Sequence, residues 1–213
     1  RTVTGVQTCA LPISGHDPQL QLLKIITFIL SLSPLYEMAW FALTGHYGDY
    51  PSWEIIGITG EASLIFLLIT LSVTPLRRIF GWNILLKLRR TFGLFAFFYA
   101  SLHFLIYIWR EDVFVLTEFA MDVVKLPYVT VGFIAWLLML PIALTASDNR
   151  MRALGRNWKR IHSMVYAVTF LTIIHYFLVR TWNPTDVLGY AAFLTILLGY
   201  RFYYARTQKE WSF

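Results

Sequence analysis

Cysteine is almost missing. Cys9 is the single thiol among 213 residues, which excludes an intrachain disulfide framework and any metal site held by several thiolates. Charge is scarce too. Asp, Glu, Lys and Arg make up 14% of the chain, where soluble domains carry about 25%. No G-x-G-x-x-G, no Walker-type loop and no nucleophilic triad can be recognised. Nothing in the chain therefore points to a soluble nucleotide-dependent enzyme or a hydrolase.

Long apolar runs dominate instead. Hydrophobic residues make up 57% of the chain. The pattern predicts an all-α polytopic membrane protein, a bundle of six transmembrane helices joined by short loops. The spans fall at about 22–43, 55–76, 91–109, 128–146, 161–179 and 187–205. The membrane domain thus covers 21–206, with a tail at 207–213. The first span contains Pro34 and Glu37, and a kink is expected there. Pro75 closes the second span, whose Glu61 is read as interfacial. Residues 111–125 read as a polar, mostly acidic segment, and 147–160 as a strongly basic one. His46, in a polar loop, reads as solvated. Residues 1–20 lack an initiator Met and match neither the rest of the chain nor a signal peptide. They are expected to be a non-native or disordered leader. No internal repeat is evident.

The positive charge has a direction. Of 18 Lys and Arg, only Arg110, Lys125 and Arg180 fall on one side of the six-span map. The positive-inside rule then places both termini in the cytoplasm. The sequence pI of about 9.5 follows from basic residues lining the cytoplasmic membrane face and needs no nucleic acid.

Two histidines lie deep in apolar spans, where an ionisable group is a functional-site candidate by default. His103 is twelve residues past the basic start of its span, roughly 18 Å up. His175 is fourteen past the start of the fifth, roughly 21 Å up. Two imidazoles at one level on two helices can hold one flat iron porphyrin between them. Ala96 and Ala100, with Gly93, offer small neighbours. Arg110 and Arg180, near the outer surface, could pair with haem propionates. The alternatives are metal transport and proton relay on the same histidines. His162 sits at the basic end of the fifth span, roughly 20 Å below His175. No second histidine lies at its level. It could bind a second haem with a non-histidine partner, meet a cytoplasmic cofactor or quinone headgroup, or lie at the interface.

The run ITLSVTPLRR at 69–78 is followed by LRRTFGLFAFFYASLHFLIY, KLPYVTVGF and ALTASDNRMRALGRNWKRIHSMVY, with His175 downstream. From about residue 30 onward this order closely resembles the MsrQ (YedZ) family, within the ferric-reductase-like transmembrane superfamily. The resemblance implies the haem-binding inner-membrane subunit of a bacterial periplasmic protein-methionine-sulfoxide reductase system. It implies b-type haem, with the family's histidines falling on His103, His162 and His175. It also implies electrons taken from the quinone pool or a cytoplasmic flavin reductase and passed to a periplasmic molybdopterin subunit that reduces methionine sulfoxide in oxidised proteins. FMN is associated with the family as well. In the related NADPH oxidases the third span carries a histidine partner at the level of His162, where this chain has Arg89 and Arg90. A stand-alone transmembrane ferric reductase is the alternative within the superfamily.

Overall fold

The computed structural model describes residues 18–45, 51–110, 116–180 and 184–207. Cys9 and His46 lie outside these residues, as does most of the leader segment. Among the described residues there are helices and no strands. A chain this apolar must satisfy its backbone polar groups internally wherever lipid surrounds it, and the helix does so within one segment. Six helical stretches are long and apolar enough to cross a membrane: Pro18–Thr44, Ser52–Phe80, Leu85–Trp109, Pro127–Leu144, Arg156–Val179 and Thr185–Tyr204.

The first stretch is two helices, α1 (Pro18–Ser31) and α2 (Ser33–Thr44), broken at Leu32. Pro34 has no N–H and cannot continue the ladder, so the kink falls where expected. The Tyr99 hydroxyl donates to the Ser31 carbonyl at the break, 2.7 Å away. Helix α3 (Pro51–Phe80) does not close at Pro75 as expected; it continues for another turn. Pro75 cannot donate to the Leu71 carbonyl four residues back. The Arg201 guanidinium donates to that carbonyl instead, at 2.6 Å, and the ladder loses a bond without leaving a bare acceptor.

After a turn with Gly81 in the left-handed region, φ 73°, α4 (Leu85–Arg110) rises through the apolar run. Helix α5 (Leu116–Lys125) is an amphipathic helix where only a polar segment was expected. Helix α6 (Pro127–Leu144) starts on its proline, whose missing N–H costs nothing in a first turn. The basic segment folds into two short helices, α7 (Asp148–Leu154), capped by Ser147, and α8 (Arg156–Ser163). A break at Met164 separates α8 from α9 (Val165–Val179), and α10 (Pro184–Thr207) completes the bundle.

Two helix pairs organise the interior. In the α3–α4 pair, Phe66 stacks on Tyr99 with centroids 5.6 Å apart, and the Ser63 hydroxyl donates to the Ala96 carbonyl at 3.0 Å. The α6–α9 pair faces it, and α10 packs on α3 and α9. Large apolar side chains such as Leu43, Leu105 and Ile196 point outward, which suits contact with lipid tails rather than water.

Candidate cofactor site

The helix pairs bring His103 of α4 and His175 of α9 together. Their ring centroids are 5.9 Å apart and their planes stand at 88°. The level that helix rise assigned to each is therefore shared. The His103 Nδ1 lies 3.0 Å from the Ile56 carbonyl of α3. The His175 Nδ1 lies 2.7 Å from the Tyr128 carbonyl of α6. A carbonyl can only accept, so Nδ1 carries the proton on both rings and Nε2 keeps its lone pair. Metal-binding histidines are commonly oriented in this way.

Glycines make the approach possible. A Cβ on Gly60 would lie 3.0 Å from His103 Nδ1, and one on Gly132 only 2.7 Å from His175 Nδ1. Each glycine sits one helical turn after the carbonyl its histidine uses. Each histidine is 47 residues from that carbonyl. Ile56, Gly60 and His103 are matched by Tyr128, Gly132 and His175, each 72 positions later. The two halves of the site thus repeat one arrangement, although few other residues agree between them. The missed signal was a glycine 43 positions before each deep histidine.

The cavity around the two rings is lined by small and flat residues. Gly57, Gly60, Ala100, Gly132 and Ala135 stand beside Phe104, Phe133 and Trp136. Two imidazoles binding one ion from opposite sides, with bonds of about 2.0 Å, place their centroids roughly 6 Å apart. The observed separation of the ring centroids is compatible with one ion between the two rings. Among the described residues no group of three or more His, Cys, Asp or Glu comes together. Haem iron takes one or two ligands from side chains, so a histidine pair is compatible with it.

The other expected site residues fall into place unevenly. Arg180 lines this cavity and stands over the Tyr176 ring, 5.7 Å from its centroid. The side chain of Arg110 lies outside the described part of the structure. Ala100 lines the cavity, but Ala96 is wholly buried in the α3–α4 contact and Gly93 faces Thr70. Glu61, read from the sequence as interfacial, is placed by its contacts. It lines the cavity beside the histidines and accepts a hydrogen bond from Tyr190 of α10.

His162 belongs to a second cavity at the basic end, with Arg89, Arg90, Met151 and Trp158. Met139 lines both cavities. The His162 ring stacks on Trp158 with centroids 4.0 Å apart, and its Nε2 is 3.1 Å from the Thr145 hydroxyl. That hydroxyl spends its proton on the Pro141 carbonyl, 2.6 Å away. His162 Nε2–H therefore donates to Thr145, and its Nδ1 is the free acceptor. The break at Met164 separates His162 from the helix that carries His175, so the angle of a straight helix does not relate them. The position 72 residues before His162 is Arg90, which forms an ion pair with Asp148.

Residues 56–173 match the family model described as the ferric reductase like transmembrane component. Three relatives are each called protein-methionine-sulfoxide reductase heme-binding subunit MsrQ. The one from Herminiimonas arsenicoxydans is 45% identical over 160 residues, 75% of this chain and 73% of the relative. That from Xanthomonas campestris pv. campestris is 42% identical over 154 residues, covering 72% and 71%. That from Azospira oryzae is 42% identical over 185 residues, covering 86% and 79%. No solved structure matches the chain.

Proposed function

The chain belongs to the ferric reductase-like transmembrane family, and within it to the MsrQ haem-binding subunits; from this premise we propose that it conducts electrons across a bacterial inner membrane on b-type haem. The observation that carries the reading is the His103–His175 pair, with both Nδ1 protons fixed on carbonyls and both rings lining one cavity. These two residues would hold the haem iron. Haem supplies the one-electron couple; the protein supplies ligands, orientation and insulation from water.

The chain's own residues divide the work. The Ile56 and Tyr128 carbonyls hold the two imidazoles in the ligating tautomer. Gly60 and Gly132 let the rings lie against neighbouring helices. Arg180, and Arg110 from α4, would meet the propionates at the outer end. The basic end is cytoplasmic in this reading, with both termini inside. Electrons enter there, from quinone or a cytoplasmic flavin reductase, next to His162, Arg89 and Arg90. The guanidiniums suit an anionic donor, the phosphate of FMN included. Met139 separates the entry cavity from the haem cavity. The acceptor is a periplasmic molybdopterin subunit that reduces methionine sulfoxide in oxidised proteins. The sulfoxide chemistry belongs to that partner.

The visible spectrum of the purified protein tests this. A bis-histidine haem spectrum is expected, and His103→Ala or His175→Ala should abolish it. A colourless protein that moves protons or metal ions in proteoliposomes would replace the reading with a transporter. Normal haem content in both variants would reject the ligand assignment. Electron delivery to a molybdopterin partner in co-expression separates this role from that of a stand-alone ferric reductase.

A further inference from the structure

Arg201 is a guanidinium inside a span. It lies six residues before the end of α10, roughly 9 Å in, and is only partly exposed. A charge at such a place is costly and calls for a partner. Among the described residues Arg201 meets no carboxylate. Its terminal nitrogens donate to two neutral acceptors, the Leu71 carbonyl of α3 at 2.6 Å and the Tyr166 hydroxyl of α9. Its Nε–H is buried without an acceptor. Two further guanidiniums stand near enough to repel it, Arg89 of α4 and Arg78 of α3. Arg78 is exposed and lies over the Tyr204 ring of α10, 4.3 Å from its centroid.

Acid is scarce around them. Residues 62–110 contain none, and Asp148 is the only one between 123 and 185. Arg90 already pairs with it. Three cations thus converge from three helices with no counter-charge among the described residues. Like charges held together near apolar surroundings raise the free energy unless an anion joins them. The neighbouring surface says which anion. Phe170, one turn past Tyr166 and on the same face of α9, is 59% exposed, and Phe177, two turns further, is 49% exposed. Helix α9 runs from the basic end into the span, so these rings stand deeper than the Tyr166 hydroxyl. A polar group and cations at the membrane surface with apolar rings below match the order of head and acyl chain in a phospholipid. A free phosphate would use the cations and leave the rings bare.

We propose that Arg78 and Arg201 bind the phosphate of an anionic phospholipid, with the charge of Arg89 adding to the attraction and an acyl chain lying along Phe170 and Phe177. Guanidinium forks suit phosphate oxygens. Leu71 and Tyr166 hold Arg201 in place, and the Tyr204 ring supports Arg78, so little ordering remains to be done on binding. A bound phosphate ties α10 to α3 and relieves the repulsion among the three guanidiniums. The site is independent of the haem reading and survives its failure.

Thermal melting of the purified protein in a neutral detergent tests this, with phosphatidylglycerol, phosphatidylcholine, inorganic phosphate or FMN added in turn. A ligand of the folded state raises the melting temperature by mass action. Phosphatidylglycerol should give a saturable rise and phosphatidylcholine a much smaller one. Arg78→Gln should need about fivefold more phosphatidylglycerol for half of that rise, the effect of one guanidinium at a charged membrane surface. Arg201→Lys, which keeps the charge and loses the fork, should also need more. Arg150→Gln removes an exposed charge of α7 outside the cluster and should leave the half-point where it is. No rise with phosphatidylglycerol overturns the proposal, as does an unmoved half-point in Arg78→Gln. An equal shift in Arg150→Gln overturns it too, in favour of diffuse attraction to charged lipid. Equal stabilisation by inorganic phosphate or FMN, lost in Arg78→Gln, overturns the lipid assignment in favour of a free phosphate. If Arg201→Lys fails to fold, Arg78→Gln decides alone.

Discussion

Gly132 leaves no room for a side chain beneath His175: a Cβ there would sit 2.7 Å from Nδ1 and 2.8 Å from Cε1. Gly60 is less tight against His103, at 3.0 and 3.1 Å. Gly132→Ala should therefore push the His175 ring off the Tyr128 carbonyl. Overpacking of this kind costs about 1–3 kcal/mol. We expect bound haem per protein to fall sharply in Gly132→Ala and less in Gly60→Ala, measured from the visible spectrum. Equal losses in the two variants would mean that the glycines matter for some reason other than ring clearance.

Arg201 and Pro75 offer a compensation test. Arg201→Leu leaves the Leu71 carbonyl without a donor in a buried setting, which costs about 1–3 kcal/mol. Pro75→Ala restores an N–H that can close the helical bond. In the Pro75→Ala background, Arg201→Leu should lose clearly less thermal stability in detergent than it does in wild type. Identical losses in both backgrounds would show that the Leu71 bond is not what Arg201 contributes.

His162 lies in the cavity at the basic end and touches neither imidazole of the upper pair. His162→Ala should leave the absorption of the His103–His175 haem in place and slow its reduction by a donor added from the cytoplasmic side. Stopped-flow reduction checks this. Loss of the upper haem in this variant would place His162 in the wrong role.

Among the described residues outside the spans, Asp148 has a carboxyl pKa lowered from its ordinary value. Arg90, first through the hydrogen bond and then through its charge, holds the Asp148 carboxyl below its usual range, with Arg152 and Lys24 adding a little. A depressed folded value means the stabilisation is present above the unfolded value, about 3.9, and is lost as pH falls through the folded one. Asp148→Asn should lower the melting temperature slightly near neutral pH, and the difference should vanish in acid. Both side chains are well exposed, so salt should weaken the effect as well. A gap that persists in acid would point to packing rather than charge.

Much of the fold was legible because a membrane restricts the choices. Length and hydropathy mark six spans, and Pro34 marks the break at Leu32. Pro75 was misleading, since the donor that rescues its turn comes from Arg201, 130 residues from the Leu71 carbonyl it reaches. Helix α5 was hidden because a short amphipathic segment with two acids reads as a polar loop. That Glu61 lines the histidine cavity was not legible, because its distance from the loop, counted along the chain, says nothing about which way the side chain turns.

The sequence by itself determined the helices, the sidedness of its charge and the matched depth of His103 and His175, because helical rise converts chain position directly into height. Only the tertiary structure decided which faces meet. It set His103 against Gly60 and the Ile56 carbonyl, and His175 against Gly132 and the Tyr128 carbonyl. It thereby fixed the tautomers and gathered Glu61 into the same cavity. Those relations depend on helix rotation and packing, which are settled by contacts between residues far apart in the chain.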